Sequence, residues 1–269
     1  MAMDFWLGIT IFSVFSICSW TYEKNNLPSI ENKAFIKNCV DLHNEFRSQV
    51  TPKASNMLLM SWDADLAKIA KTWAERCEFK HNSDLHKPRK LHPTFSSLGE
   101  NLWGGSIQAF SEKSAIKSWN GEVKNYDFRT RNCTRMCGHY TQIVWASSYK
   151  VGCAAQFCPE LKRTNIKPGI LFVCDYGPAG NYNHMRPYRE GEPCSACKED
   201  TCVDRLCANP KRDGLTDKTN EINRLEPFKP YAEKTVPRER SISLILILVP
   251  VLIVLSVILA ILIKHYFPK

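Results

Sequence analysis

The residues of this 269-residue chain with the most chemistry to offer are its twelve cysteines and seven histidines. Thiolate and neutral imidazole are both metal ligands, and cysteines also pair as disulfides. Four cysteines crowd into one stretch as Cys194, Cys197, Cys202 and Cys207. Such a cluster can ligate zinc or form two bridges, and an oxidising export route favours bridges. Hydrolytic chemistry has less support. No His-Glu-x-x-His pair supplies the metal and general base of a metalloprotease, and no motif ties Ser48 or Ser147 to a base. Asn132-Cys133-Thr134 is a sequon, so Asn132 is a candidate glycan acceptor if the domain is exported.

Export is indicated at both ends of the chain. Residues 5–17 are apolar enough for the core of a signal peptide spanning 1–20, with small residues near 16–19 for cleavage. Asp4 stands where a basic residue is usual, which leaves an uncleaved anchor as the alternative. Loss of Cys18 with the signal leaves an odd number of cysteines. Residues 242–263 are apolar except for Ser243, Pro250 and Ser256, a length that suits a helix crossing a bilayer core of about 30 Å. A buried core helix would show a polar face. A glycolipid-anchor signal would want small residues where Val236-Pro237-Arg238-Glu239-Arg240 stands, and no charge after the apolar run, where Lys264 and Lys269 lie. Charges flank the span on both sides, so the N-terminal signal sets the orientation. The expectation is a type I single-pass protein of the plasma membrane or a secretory vesicle, with a cytosolic tail of 264–269. The formal charge of +9 is spread among acids rather than blocked, and no nucleic-acid role is expected.

Three amphipathic helices are predicted to frame whatever site exists. Phe35, Cys39, Leu42, Phe46 and Val50 recur at helical spacing over 31–50, and Leu66, Ile69, Ala70, Trp73 and Cys77 do so over 63–77. A third runs from an N-cap at Ser111 to Tyr126 and turns Ile116, Trp119, Val123 and Tyr126 inward. Cys39 falls among the buried positions of the first helix, which predicts a buried thiol. Residues 87–93 form a basic, proline-bearing loop. Residues 151–157 and 170–176 read as strands, and 209–241 as an extended, charged stalk. Helices first and strands later give an α+β domain.

Three dense segments follow in order: Leu98-Gly99-Glu100-Asn101-Leu102-Trp103, Cys137-Gly138-His139-Tyr140-Thr141-Gln142-Ile143-Val144-Trp145, and Phe172-Val173-Cys174-Asp175-Tyr176-Gly177-Pro178-Ala179-Gly180-Asn181-Tyr182. Together they resemble the signatures of the CAP superfamily, which contains cysteine-rich secretory, antigen 5 and pathogenesis-related 1 proteins. The resemblance runs from about residue 30 to residue 207. It implies a disulfide-stabilised three-layer α-β-α sandwich with an antiparallel sheet. The resulting map is signal peptide 1–20, CAP domain 30–190, cysteine-rich hinge 191–208, stalk 209–241, transmembrane helix 242–263 and tail 264–269.

The resemblance also implies pairings and a site. The bridges would be Cys77 with Cys158, Cys133 with Cys137, Cys153 with Cys174, Cys194 with Cys202 and Cys197 with Cys207, leaving Cys39 over. A further family bridge would need cysteines at Leu98 and Tyr176, and both are absent together. The ion-channel regulatory module that follows the hinge in some relatives is replaced by the stalk and span, so channel blocking is not expected. The family cleft of two histidines and two glutamates maps onto His81, Glu100, Glu122 and His139. Three readings are open for it: a structural hydrogen-bonded network, a zinc or other divalent-metal site through His81 and His139 with Glu100 and Glu122 in support, and a hydrolytic site. His43, His86, His92 and His184 receive no role. The expected function is non-enzymatic binding of a partner or ligand by a membrane-anchored extracellular domain that could hold zinc in its His/Glu cleft, with a sterol or lipid ligand as the alternative and a metal-dependent hydrolase as a further one. An adhesive role would use exposed loops such as 87–93.

Overall fold

The computed structural model describes residues 27–214. The chain divides into two compact units, 1–225 and 226–269, and the described residues belong to the first. The expected signal peptide, transmembrane helix and tail lie outside them, as does the stalk beyond residue 214. Among the described residues no helix is long and apolar enough to cross a membrane.

Helix α1, Lys33–Ser48, starts where the Asn32 side chain accepts hydrogen bonds from the Ala34 and Phe35 amides at 2.9 and 3.1 Å. Its inward stripe is Phe35, Cys39 and Leu42. Strand β1, Ser61–Trp62, leads into α2, Ala64–Ala74, which Asp63 caps in the same way. Strand β2 is Gly99–Gly105 and helix α3 is Glu112–Asn120, opened by a reciprocal pair of hydrogen bonds between Ser111 and Ser114. Beyond Asn120 the helix tightens into a 3₁₀ turn, Gly121–Asn125. The extra twist per residue rotates Val123 out of the inward stripe, and it is 44% exposed rather than buried as predicted. Tyr126 is half-buried and opens a two-residue strand, β3 (Tyr126–Asp127), that pairs with β4 (Asn132–Cys133).

Helix α4, Gly138–Ile143, precedes the long strands β5, Lys150–Cys158, and β6, Gly169–Gly177. The main sheet has the order β1-β5-β6-β2. Its three long strands are antiparallel as expected, but the short edge strand β1 runs parallel to β5, which corrects the all-antiparallel expectation. Every residue of β6 is buried, because helices cover both of its faces. Phe172, Cys174 and Tyr176 pack against α1, α3 and α4, while Leu171 and Val173 pack against Ala70, Trp73 and Ala74 of α2. This alternation is the α-β-α sandwich. Gly152 lets α2 lie directly on β5, since a Cβ there would collide with the Ala67 amide nitrogen.

Five disulfides join the pairs that the family resemblance implies: Cys77–Cys158, Cys133–Cys137, Cys153–Cys174, Cys194–Cys202 and Cys197–Cys207. Cys39 is free and buried, and burial pushes its thiol pKa well up, so it is an inert core residue. The hinge folds into a hairpin of β7, Thr201–Val203, and β8, Leu206–Ala208, that docks on the body through Cys207 N–H to Met57 and Leu59 N–H to Cys207. Residues 209–214, expected to open the extended stalk, instead cap the fold. Pro210–Asp213 forms the one-turn helix α5, and Arg212 bonds Asp200, Asp213 and the Cys207 carbonyl. Proline at the first turn and Gly214 in the left-handed region after the last give this helix the end signals of a longer one.

Candidate functional site: a histidine and glutamate cleft

Of the two histidines that the resemblance singles out, His81 sits in an irregular segment and His139 in the first turn of a helix, and a carboxylate holds each. His81 lies beyond α2 in a stretch fixed by the Trp73 indole N–H, which donates to the Lys80 carbonyl at 2.7 Å. Glu100 projects from β2, and its Oε1 accepts from His81 Nδ1 at 2.8 Å and from the Asn82 amide at 3.0 Å. The Glu100 side chain is fully buried whereas His81 is 59% exposed, so the imidazole meets solvent with the carboxylate behind it.

The second pair repeats this arrangement with other elements. Glu122 rides on the 3₁₀ turn after α3, and His139 on the first turn of α4. Glu122 Oε1 accepts from His139 Nδ1 at 2.7 Å, while Oε2 accepts from the His139 and Tyr140 amides at 3.1 and 3.4 Å. A carboxylate at the start of α4 also meets the positive end of that helix. Trp119 stacks on the His139 ring, with centroids 5.9 Å apart.

Asn101, one residue after Glu100 and so on the opposite face of β2, ties the cleft to the core. Its Nδ2 donates to the His139 carbonyl at 3.0 Å and to the Tyr176 hydroxyl at 3.1 Å. His43 Nδ1 lies 2.7 Å from the Cys39 carbonyl, which can only accept, so that nitrogen carries the proton and Nε2 accepts from the Tyr176 hydroxyl at 2.9 Å. Desolvation lowers the His43 pKa to about 4, and the ring is a neutral part of the core, consistent with its receiving no role.

In both outer pairs a carboxylate accepts the Nδ1 proton, which leaves the Nε2 lone pair of His81 and of His139 available to a ligand. Asn132 is exposed on β4, accessible to modification, and Thr134 of its sequon donates to the Asn125 carbonyl. Ser48 donates its hydroxyl to Glu45 within α1 and has no histidine partner.

Asp175, Arg47 and a cluster around Asp63 carry structural roles that the sequence does not announce. Asp175 sits opposite Glu100 in the β2–β6 register and is wholly buried. Among the described residues neither of its oxygens, nor Glu100 Oε2, has a hydrogen-bond partner. Burial first, and the neighbouring Glu100 charge second, push the Asp175 carboxyl well above the usual range, so it stays protonated. Arg47, 1% exposed, spends its guanidinium on the carbonyls of Leu58, Ile143, Trp145 and Ala146. Asp63, Asp65 and His92 form the one set of three ligand-type side chains, among the described residues, whose donor atoms lie within 4.8 Å of one another. However, His92 Nδ1 accepts from the Thr94 and Phe95 amides at 3.1 and 3.3 Å, which puts the ring proton on Nε2, the atom 3.5 Å from Asp63. In that tautomer Nε2 carries its proton and does not ligate, and among the described residues it has no hydrogen-bond partner; the cluster is the Asp63 helix cap with a buried ring packed beside it.

A disulfide-tied α-β-α domain carrying two carboxylate-anchored histidines defines the class of fold. Residues 40–176 match the sequence profile of the CAP, or cysteine-rich secretory protein, family, and the chain belongs to that family. It is 47% identical to glioma pathogenesis-related protein 1 of Mus musculus over 264 residues, covering 98% of this chain and 96% of that one. It is 53% identical to GLIPR1-like protein 1 of Bos taurus over 186 residues, 69% of this chain and 76% of that one. Among solved structures, that of NaASP2 with Zn2+ superposes with a TM-score of 0.53 at 28% identity, covering 69% of this chain and 99% of that one.

Proposed function

We propose that this chain is a non-enzymatic, single-span membrane protein that displays its CAP domain outside the cell or in a vesicle lumen. There the domain binds a ligand or partner and holds zinc through His81 and His139. The signal-like residues 1–20, the apolar run 242–263 and the sequon at Asn132 support the membrane and export parts of this reading.

The observation that carries the metal reading is the carboxylate on each Nδ1, at 2.8 and 2.7 Å. Histidines that bind zinc through one nitrogen are commonly oriented in this way through the other. NaASP2, whose fold this chain shares, was crystallised with Zn2+. With two protein nitrogens and its other positions open, bound zinc would offer coordination sites to a donor atom of a ligand. Glu100 and Glu122 also hold the Asn82, His139 and Tyr140 amides, so they keep the cleft in shape with or without metal.

Metal analysis and zinc titration of the full-length protein, beside a His81→Ala/His139→Ala variant of equal thermal stability, test the metal reading. Stoichiometric zinc in the parent, lost in the variant, is expected. A parent that binds no zinc would reduce the cleft to a structural network.

A further inference from the structure

On another part of the surface the β3–β4 hairpin and residues 185–190 line an open groove of about 560 Å³ that includes none of His81, Glu100, Glu122 and His139. Its floor is aromatic: Phe128 stacks on Tyr188 with centroids 4.7 Å apart, and Trp145 lies beside them. Met185 borders the groove and is 59% exposed. Its rim carries Arg131, Arg186 and Arg189, all exposed, against the single acid Glu190.

These arginines are not neutralised from within. The arginine ion pairs among the described residues are Arg163 with Glu78 and those of Arg212. Arg186 donates to the Phe128 and Arg129 carbonyls and lies over the Phe128 ring, so it clamps the hairpin. Arg131 gives one nitrogen to the His184 carbonyl, which fixes its direction and leaves its other donors open. Arg189 is held by its backbone amide on Asn56, and among the described residues its guanidinium makes no hydrogen bond or ion pair. By contrast, Lys87 and Lys90 in the basic loop 87–93 both pair with Asp84. Arg131 and Arg189 therefore carry charge with no ion-pair partner among the described residues, as Arg89, Arg129 and Arg135 do elsewhere, but at the groove that charge stands beside a concave aromatic floor.

We infer that this groove docks an acidic peptide segment of a partner protein, with an aromatic or aliphatic anchor on the Phe128, Trp145 and Tyr188 floor and flanking carboxylates on Arg131 and Arg189. Guanidinium forks match carboxylates in geometry, and a concave aromatic floor ringed by arginine is the composition of an interface anchor pocket. A flat bilayer would not fill the concavity, and a uniform polyanion would leave the floor unused. The inference rests on the binding reading above but can fail separately from it, since zinc titration does not touch these residues.

The test is selection of random phage-displayed dodecapeptides on the full-length protein. Fluorescence anisotropy of the enriched peptides then compares the parent with Arg131→Gln/Arg189→Gln, leaving the Arg186 clamp intact. Enrichment of an apolar anchor flanked by Asp or Glu is expected, with affinity falling about tenfold or more in the variant, the equivalent of roughly 1.4 kcal/mol. Two readings on the parent alone stand if the variant fails to fold. Replacing the peptide's anchor by Ser, and raising the salt, should each weaken binding severalfold. Enriched peptides without acidic residues, undiminished affinity in a folded variant, or binding indifferent to anchor and salt would each overturn the inference. So would phosphatidylserine vesicles or heparin binding at the same arginines while no peptide is enriched.

Discussion

Two buried side chains, His43 and Asp175, make opposite contributions to the pH dependence of stability. His43 has its folded pKa lowered to about 4, so its contribution is complete above the unfolded value near 6.5 and is lost as pH falls toward 4. Asp175 has its folded pKa raised well above the usual range, so the folded state holds a proton that the unfolded state releases. Its contribution is present at low pH and is lost as pH rises from about 4 toward its folded pKa. Each slope reaches at most about 1.4 kcal/mol per pH unit, and the two oppose each other between about pH 4 and 6.5. Single variants should expose them. Asp175→Asn, nearly isosteric and uncharged, is expected to match the parent near pH 4 and exceed it in urea-derived stability near pH 7. His43→Gln is expected to lose overall stability but also the acid-side slope. Parallel pH profiles for parent and variants would rule this out. Arg47 tests burial in another way: Arg47→Met should cost on the order of 3 kcal/mol, because four carbonyls lose their donor, as read from the denaturant midpoint. The roles of Asp175 and Arg47 could not be read in the sequence. Asp175 sits in an apolar run that points to burial, but nothing adjoining it or Arg47 gives the roles the structure assigns them, since their partners come from strands and loops far along the chain.

At the scale of elements, legibility followed periodicity. Helices α1 and α2 carry a clean apolar stripe, and the runs in β5 and β6 are rich in the residues strands favour. Strand β2 is different: Gly-Glu-Asn-Leu-Trp-Gly-Gly has no clear alternation and glycine at both ends, and only its pairing with β6 makes it extended. The cleft residues were legible through the family resemblance, while their joining as His81 with Glu100 and His139 with Glu122 depended on β2 and on the 3₁₀ turn, neither of which shows in the pattern. The α2 layer has its own vulnerability. It is joined to the end of β5 by Cys77–Cys158, which closes a loop with a sequence separation of 81. Replacing both cysteines by Ala should lower stability by about 4 kcal/mol on the chain-entropy account. Gly152→Ala should also destabilise, by forcing α2 off the sheet. Calorimetry of the two variants separates the effects, since reduction of the disulfides should abolish the first difference and leave the second.

At the scale of the whole molecule, the question is where the folded body ends. The hinge and the residues just after it are not a tether. Leu206, Cys207 and Ala208 are buried, the hinge hairpin bonds residues 57–59, and Arg212 closes over Asp200, Asp213 and Tyr149. Lys150 on the main sheet donates to the Asp213 carbonyl at 2.9 Å, so α5 is joined to the central sheet as well as to the hinge. A chain ending after Ala208 would leave the largely buried Asp200 without Arg212, and Lys150 with the Ser61 hydroxyl but without the Asp213 carbonyl. A chain ending after Gly214 would keep both. The expected outcome is a melting temperature several degrees higher for the longer form, with the difference removed by Arg212→Ala, since about 1 kcal/mol moves Tm by roughly 2–4 °C in a domain of this size. Equal melting temperatures would place the end of the cooperative unit at β8 and return residues 209–214 to the stalk.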